Sequence, residues 1–131
     1  MIELAALSAN DYERLRDDLR PYIKAAVYYS DMTTTAVECS ILDGTRLPVV
    51  FVKDKQPIGL MTLELDGETV HVTTLAGDFQ EDWKPVAFEG LKAITKSQGR
   101  SAITLKGRPG WRKLLHSYGF KPDKDELRYS L

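Results

Sequence analysis

One stretch of the chain, residues 68–98, constrains the fold more than any other because an extended segment leads into a helix there. Residues 69–75 are rich in β-branched side chains and alternate in period two, which predicts a strand. The alternation places Val70, Val72 and Thr74 on one face of that strand. A second, parallel strand is expected after the helix, since one crossover helix joins the two.

The helix that follows this strand is marked by apolar residues at three- and four-residue spacing. They are Ala87, Phe88, Leu91, Ile94 and Thr95. Asp82 is the expected N-cap, and Pro85 is compatible with a first helical turn. Gln98 and Gly99 predict the end of the helix.

The length and composition predict one domain over residues 1–131, because 43% of the residues are hydrophobic and suffice for a core. The formal net charge of −1 gives no general attraction to nucleic acid or membranes, so neither is an expected partner. The sequence lacks a signal-like N-terminus and a membrane-spanning run, which predicts a cytoplasmic location. A single cysteine, Cys39, excludes an internal disulfide, and with two histidines it falls short of a four-ligand zinc site, so no metal is expected.

Positive charge is concentrated late in the chain. Residues 90–121 contain eight Lys or Arg and no Asp or Glu. Such a segment has two interpretations, a binding surface for a polyanion such as a nucleotide cofactor or a solvated basic surface. The second is the commoner role of a charge run, and both stay open at this point.

The N-terminal part of the chain predicts a strand and then helices. Residues 2–7 alternate as a short strand, and Ser8 is the expected cap of the helix that follows. Pro21 is expected to interrupt that helix, so residues 22–29 form a second helical piece.

Residues 33–42 fit two kinds of structure. The three consecutive threonines favour a strand, whereas the spacing of Val37 and Ile41 favours a helix capped by Thr33. The helix is the preferred interpretation because Asp43 and Gly44 follow as a stop signal.

Three antiparallel strands are predicted before the central helix, and a strand, a short helix and a final strand after it. Their ranges are 48–52, 59–65 and 68–75, then 101–105, 111–118 and 126–131. Asp66 and Gly67 form a tight hairpin connection, and Gly119 ends the short helix. This order of elements predicts an α/β fold with a mixed, mostly antiparallel sheet.

The order of elements, together with Leu-Ala-Gly at residues 75–77 and Tyr-Gly-Phe at residues 118–120, resembles the GCN5-related N-acetyltransferase (GNAT) superfamily. Within it the chain is most similar to small GNAT-like proteins of tailed bacteriophages, some of them virion-associated. In those proteins a Gly-Arg-x-Gly-Trp segment precedes the last helix, as at residues 107–111 here. The resemblance implies a GNAT-like domain in which a parallel strand pair is splayed around the central helix.

The resemblance also implies an acetyl-CoA site at the start of the central helix. The family has an Arg-x-x-Gly-x-Gly/Ala loop there, whose amides bind the pyrophosphate. In register, Asp82, Pro85 and Ala87 stand at the three defined positions, and only Ala87 matches. Asp82 repels phosphate and Pro85 has no N–H to donate, so weak binding of acetyl-CoA is expected.

The last helix departs from the family in a second way. The family has a tyrosine, five residues before the Phe of the Tyr-Gly-Phe-like turn, that protonates the departing CoA thiolate, and an Asn often begins the helix. Leu115 stands at the tyrosine position and cannot supply a proton, and Arg108 stands at the Asn position. Tyr118 is a nearby candidate for the acid, although a packing role is the favoured interpretation.

Two further residues are candidates to hold or deprotonate an amine. His71 lies in the middle of the predicted strand, and Glu68 lies at its start beside the hairpin. Both residue types act as general bases when they are placed within hydrogen-bond reach of the proton. Packing for the histidine and a solvated hairpin charge for the glutamate are the commoner roles.

Two functions stay open. In the first, which the departures favour, the chain keeps the GNAT-like scaffold without its chemistry. It then acts through protein contacts as a phage accessory or virion-associated protein, with phage structural proteins as partners, in the host cytoplasm or the virion. In the second, it transfers acetyl from acetyl-CoA to a small amine. Backbone groups of Leu75, Ala76 and Gly77 would then bind the pantetheine arm, and Arg108 or Arg112 the phosphates.

Overall fold

The computed structural model of the chain describes residues 1–28, 30–80, 82–106 and 109–131, and at positions 109, 110, 111 and 114 it describes the backbone alone. These residues form seven strands and four helices. They are β1 (Glu3–Ala6), α1 (Ala9–Val27), α2 (Thr34–Leu42), β2 (Arg46–Lys53), β3 (Gln56–Asp66), β4 (Thr69–Gly77), α3 (Lys84–Ser97), β5 (Ala102–Lys106), α4 (Pro109–His116), β6 (Lys121–Asp123) and β7 (Glu126–Ser130). Arg108, a predicted site residue, lies outside the described residues.

The strands form one sheet in the order β1-β2-β3-β4-β5-β7-β6. Every neighbouring pair among the described strands is antiparallel except β4 and β5, in which Thr69 lies opposite Ala102 and Val72 opposite Leu105. The helix α3 connects these two strands, as a parallel pair requires. The predicted α/β fold, a mostly antiparallel sheet with one parallel pair around the central helix, is confirmed.

The sheet separates two apolar cores. One lies on the α3 side and includes Phe51, Leu63 and Val70, and the other lies on the α1 and α2 side and includes Val50 and Leu60. Consecutive residues of β2 therefore enter opposite cores. This explains why the sequence of β2 is an almost continuous apolar run instead of an alternating one.

The predicted break at Pro21 is wrong, because α1 continues through it from Ala9 to Val27. The proline ring is exposed, and buried residues lie on both sides of it, with Leu19 before and Ile23 after. An interior proline costs a helix about 3 kcal/mol, and burial of each large aliphatic side chain contributes about 1.5–3 kcal/mol in the other direction. Packing on the sheet therefore outweighs the local preference.

Two predicted helix starts are confirmed. The hydroxyl of Ser8 accepts a hydrogen bond from the Asp11 N–H at 3.1 Å, and that of Thr33 accepts one from the Ala36 N–H at 3.1 Å. Residues 34–42 are accordingly helical, as preferred from the sequence. One strand was not predicted, β6, which has three exposed residues and contains a proline.

A buried carboxylate joins α1 to α2. Glu38 is 8% exposed and accepts hydrogen bonds from the Tyr12 hydroxyl at 2.8 Å and from the Arg20 Nε at 3.1 and 3.2 Å. The Arg16 Nε lies 3.9 Å from the same carboxylate. Burial by itself raises the pKa of Glu38, but the hydrogen bonds from Arg20 and Tyr12 outweigh it and the net pKa is lowered. The carboxylate therefore stays charged in this position near neutral pH.

The lowered pKa of Glu38 predicts a dependence of stability on pH. A carboxyl with a lower pKa in the folded chain contributes stability above its unfolded pKa, whose reference value is 4.5, and loses it as the pH falls through the folded value. We therefore expect the urea midpoint of the wild type to exceed that of Glu38→Gln at pH 7, and the difference to shrink as the pH falls below about 4.5. The lowered pKa values of Asp11, Asp43 and Asp82 are common to both proteins and cancel. A difference that is constant between about pH 7 and 3 would contradict this account.

Candidate functional site

The two parallel strands separate before β4 ends. They pair as far as Val72 and Leu105, but β4 continues to Gly77 while β5 ends one residue after Leu105. Residues 73–77 of β4 therefore border β3 on one side and no strand of the described chain on the other. Backbone donors and acceptors along that edge are placed to meet an extended ligand. The edge includes residues 75–77, the predicted pantetheine contacts.

A bulge in β4 lies where the strands separate. Thr74 is opposite Thr62 of β3 while Val72 is opposite Leu63, so Thr73 is an extra residue. The Thr62 hydroxyl lies 2.6 Å from the hydroxyls of both Thr73 and Thr74. The Thr73 hydroxyl also donates to the Thr62 carbonyl at 3.0 Å. These hydrogen bonds stabilise the bulge.

The bulge changes the face that later residues of β4 occupy. Val72 and Leu75 both pack in the core on the α3 side, although they are three positions apart. The predicted alternation, with Val70, Val72 and Thr74 on one face and Leu75 on the other, is therefore wrong beyond Val72. One inserted residue shifts the two-residue period, and every following side chain changes face.

An apolar cavity of about 50 Å³ lies between β4, α3 and α4. Its wall includes Leu75, Ala87 and Tyr118, which the sequence predicted as site residues, and also Leu115. The structure therefore brings together predicted cofactor contacts from two separate segments. The side chain at the position of the family's tyrosine is an aliphatic part of this wall.

Tyr118 lies on the wall of this cavity and packs against α3. Its ring lies 5.3 Å from the ring of Phe88, with the two planes tilted by 54°. Phe88 also contacts the rings of Phe120 and Tyr129. Tyr118 therefore belongs to an aromatic cluster that packs the segment after α4 against α3, which is the packing role favoured from the sequence.

Two aromatic rings cover the connection from β4 to α3. Phe79 and Trp83 are stacked, with centroids 4.9 Å apart, and Phe51 of β2 contacts them edge-on at 5.1 and 6.2 Å. The Phe79 ring lies directly on Gly77, where a Cβ atom would come within 2.5 Å of the Phe79 Cζ. Gly77 therefore makes room for the ring. Phe79 was not among the predicted site residues. The available signal was its position two residues after Gly77, since a glycine leaves room for a nearby aromatic ring.

The start of α3 carries its own carboxylate. The N-cap is Trp83, so the prediction that Asp82 is the cap is wrong by one residue. The Asp82 carboxylate instead accepts the Lys84 backbone N–H at 3.3 Å and pairs with the Lys84 Nζ at 2.8 Å. These hydrogen bonds from Lys84 lower the pKa of Asp82. Pro85 has no N–H, and the Ala87 N–H donates to the Trp83 carbonyl at 2.9 Å. Because the Ala87 N–H makes the first intrahelical bond, the donors that this helix start could offer to an anion are those of residues 83–86, and of these Lys84 is engaged and Pro85 has none.

His71 lies on the sheet face away from α3, because its neighbours Val70 and Val72 enter the core on that side. Its Nδ1 is 2.8 Å from the Thr104 hydroxyl on β5 and 4.0 Å from the Glu126 Oε1 on β7. The structure therefore groups His71 with a hydroxyl and a carboxylate, and does not bring it to the apolar cavity.

Glu68 precedes β4 at the end opposite Gly77. Its carboxylate pairs with the Arg128 Nη2 at 2.7 Å, and its carbonyl accepts the N–H groups of Ser101 and Ala102 at 2.8 and 3.2 Å. These contacts tie the hairpin to β5 and β7. The structure does not bring Glu68 together with the other predicted site residues at the cavity.

Part of the charge in the basic segment is engaged within the protein. Lys92 pairs with Glu89 at 2.8 Å, and the Arg100 guanidinium donates to the Gly67 carbonyl. Arg112, a predicted phosphate contact, is an exposed residue of α4. Within the described chain, no three His, Cys, Asp or Glu side chains are arranged to hold a metal. No helix of the same residues is long and apolar enough to cross a membrane.

No protein-family model matches the sequence, and no curated protein matches it significantly. Solved structures do match. The PaiA N-acetyltransferase of Thermoplasma acidophilum, in complex with coenzyme A, has 17% identity and a TM-score of 0.66, with 100% of this chain and 99% of that one covered. A GNAT family acetyltransferase of Brucella melitensis, in complex with acetyl-CoA, has 16% identity and a TM-score of 0.73, with 100% and 88% covered.

A third similar structure is a GNAT family acetyltransferase of Elizabethkingia anophelis with acetyl-CoA bound. It has 14% identity and a TM-score of 0.72, with 99% of this chain and 98% of that one covered. All three alignments span nearly the whole of this chain. At these identities the similarity concerns the path of the backbone and not the chemistry of the site. The chain therefore has the fold of the GNAT acetyltransferases.

Proposed function

We propose that this chain uses the GNAT fold as a scaffold without acetyl-CoA chemistry and acts through contacts with other proteins. The observation that carries the proposal is the start of α3, where Asp82 holds Lys84 and Pro85 removes a donor. The sequence resemblance further suggests an accessory or virion-associated protein of a bacteriophage. Phage structural proteins are then the proposed partners.

The residues at the start of α3 do not fit the diphosphate of CoA. A helix start binds phosphate through several free backbone N–H groups and its positive dipole end. The Asp82 carboxylate accepts the Lys84 backbone N–H at 3.3 Å and pairs with the Lys84 ammonium at 2.8 Å. It therefore makes the contacts that a bound phosphate would otherwise make. A diphosphate would have to displace this carboxylate and would meet its charge at short range.

The cavity wall supports the same proposal. A general acid for the CoA thiolate must lie within hydrogen-bond reach of the sulfur. Leu115 has no proton to give, and the Tyr118 ring is held against Phe88 at 5.3 Å. The site therefore lacks an acid at the position where the family has one.

The second candidate function, N-acetyl transfer to a small amine, is favoured by a different observation. β4 and β5 separate at the bulged Thr73, and the edge of residues 73–77 remains open to an extended ligand such as a pantetheine arm. In this case Arg112 would contribute to binding of the phosphates, and His71, beside Thr104 and Glu126, is the candidate base. Glu68 is the weaker candidate because Arg128 neutralises it.

Calorimetry with acetyl-CoA separates the two functions. We expect a Kd no tighter than about 1 mM, which corresponds to about −4 kcal/mol, because pantetheine and adenine contacts remain without an organised diphosphate site. Micromolar binding by the wild type would refute the scaffold proposal. If that binding were lost in the double variant Arg108→Ala, Arg112→Ala, the basic segment would be the substitute phosphate site.

A matched pair of variants tests the physical reason. The double variant Asp82→Asn, Pro85→Gly removes the competing charge and restores one N–H, so it should bind acetyl-CoA about tenfold more tightly than the wild type. The control Asp78→Asn removes a charge from the same connection but away from the first turn of α3, at a carboxylate 3.3 Å from the Tyr22 hydroxyl. Equal effects of the two changes would mean that net charge, and not the α3 start, limits binding.

A further inference from the structure

The two outer strands of the sheet differ in how they are protected from pairing. β6 contains Lys121, Pro122 and Asp123, and a proline with flanking charges is a common way to block a sheet edge. β1 has the sequence Glu-Leu-Ala-Ala, with neither proline nor lysine. Among the described residues no strand pairs with its outer side. The β1 edge is therefore the open one.

The outer edge of β1 presents backbone hydrogen-bonding groups. The Leu7 N–H donates to the Pro48 carbonyl at 2.9 Å, so this position bonds toward β2. In an antiparallel pair, residues that bond to the partner strand alternate with residues that bond away from it. Leu4 and Ala6 therefore point their N–H and carbonyl groups outward, where an added strand would meet them.

A groove runs between this edge and α3. It has a volume of about 550 Å³ and is lined by Leu4, Pro85, Val86 and Gly90, with Glu3 and Glu89 as its acidic residues. Gly90 lets the Leu4 side chain pack closely on α3 at one side of the groove, since a Cβ atom there would come within 2.7 Å of the Leu4 Cδ2. An apolar side chain of an added strand, on the α3 side of the sheet, would enter this groove.

The charged groups around the groove favour a basic partner. Glu3 is exposed, and the Glu89 side chain is 72% exposed. Lys92 pairs with Glu89 at 2.8 Å but is largely covered, with its ammonium 4.7 Å from the centre of the Phe88 ring. Lys84 is paired with Asp82. The two charged residues that line the groove are therefore both carboxylates.

We infer that the β1 edge and this groove bind an extended basic segment of a partner protein by strand addition. The partner backbone pairs with Leu4 and Ala6, its alternate apolar side chains enter the groove, and its Lys or Arg residues face Glu3 and Glu89. This inference rests on the proposed protein-contact function and names the class of partner.

Two labelled peptides test the inference by fluorescence anisotropy, one of alternating Lys and Val and one of alternating Glu and Val. The basic peptide should bind about tenfold more tightly than the acidic one. Ala6→Pro removes one outward N–H but leaves the bonds to β2, and should weaken binding of the basic peptide about tenfold. The double variant Glu3→Lys, Glu89→Lys should do the same through charge alone. The control Lys121→Glu changes charge at the blocked β6 edge and should alter binding less than about twofold.

Melting curves by circular dichroism establish that each variant is folded. If Ala6→Pro is not folded, the double variant Glu3→Lys, Glu89→Lys provides the test. Equal binding of the two peptides would overturn the inference, as would binding of the basic peptide that neither variant weakens. Peptide and acetyl-CoA are titrated separately into the same protein. Micromolar binding of acetyl-CoA together with binding of the basic peptide would refute the scaffold function but not the groove. Absence of binding of both ligands would refute the groove but not the scaffold function.

Discussion

Replacing Glu38 with alanine is expected to lower the free energy of unfolding by about 2–4 kcal/mol. The Tyr12 hydroxyl, whose residue is 0% exposed, loses its acceptor, and the guanidinium groups of Arg16 and Arg20 lose their counter-charge. Because the two arginines are about one third exposed, water compensates them in part and keeps the cost below that of a fully buried ion pair. Urea denaturation followed by circular dichroism at pH 7 measures the change.

Two variants control this prediction. Glu13→Ala removes an exposed carboxylate 4.0 Å from Arg16 and should change stability by less than about 0.5 kcal/mol. Tyr12→Phe added to Glu38→Ala removes the hydroxyl that has lost its acceptor. The free energy of unfolding of the double variant should therefore fall by less than the sum of the two single changes. Strict additivity would show that the Tyr12 hydroxyl finds another partner and that the carboxylate does not organise the contact of α1 with α2.

The central unit of the fold was predictable because its signals are local. The β-branched alternation of β4 and the helical spacing of α3 each lie within about ten residues, and a single crossover helix then requires β5 to run parallel. The Ser8 and Thr33 caps were predictable for the same reason, since each hydroxyl bonds an N–H three residues on.

The bulge was not predictable, because it depends on a residue of another strand. Thr73 is an extra residue only relative to Thr62, and the hydroxyl contacts that stabilise it cross from β4 to β3. The continuity of α1 through Pro21 likewise depends on burial of Leu19 and Ile23 against the rest of the chain. In both cases a tertiary contact overrides a local preference.

The candidate site was predictable in part. Leu75, Ala87 and Tyr118 meet at one cavity, whereas His71 lies on the other sheet face. Glu68 lies at the far end of β4. Position along a strand does not specify the end or the face at which a ligand is bound, and the bulge changes the face within the site itself. Glu38 had a signal that sequence reasoning overlooked, a single charge in an otherwise uncharged helix.

Replacing Phe51 with alanine is expected to lower the free energy of unfolding by about 3–5 kcal/mol. Phe51 is 0% exposed and lies in the core between β2 and the β4–α3 connection. Its ring contacts Phe79 at 5.1 Å and Trp83 at 6.2 Å, and these two rings cover the end of β4. Truncation leaves a cavity beneath them, and the Phe79 ring is already in contact with Gly77, so it has little freedom to fill the space.

Two comparisons make this result interpretable. Phe51→Leu retains most of the volume and should cost less than about 1.5 kcal/mol, while Leu131→Ala, at a position 43% exposed, should change stability by less than about 0.5 kcal/mol. Hydrogen exchange adds a local measurement. If Phe51 anchors the aromatic pair, Phe51→Ala should increase exchange at residues 77–80 and 82–84 more than its global destabilisation explains. A uniform increase in exchange across the sheet would mean that Phe51 stabilises the whole core equally. The Phe79 and Trp83 rings at the end of β4 would then be held by their own stacking and by the contact of Phe79 with Gly77.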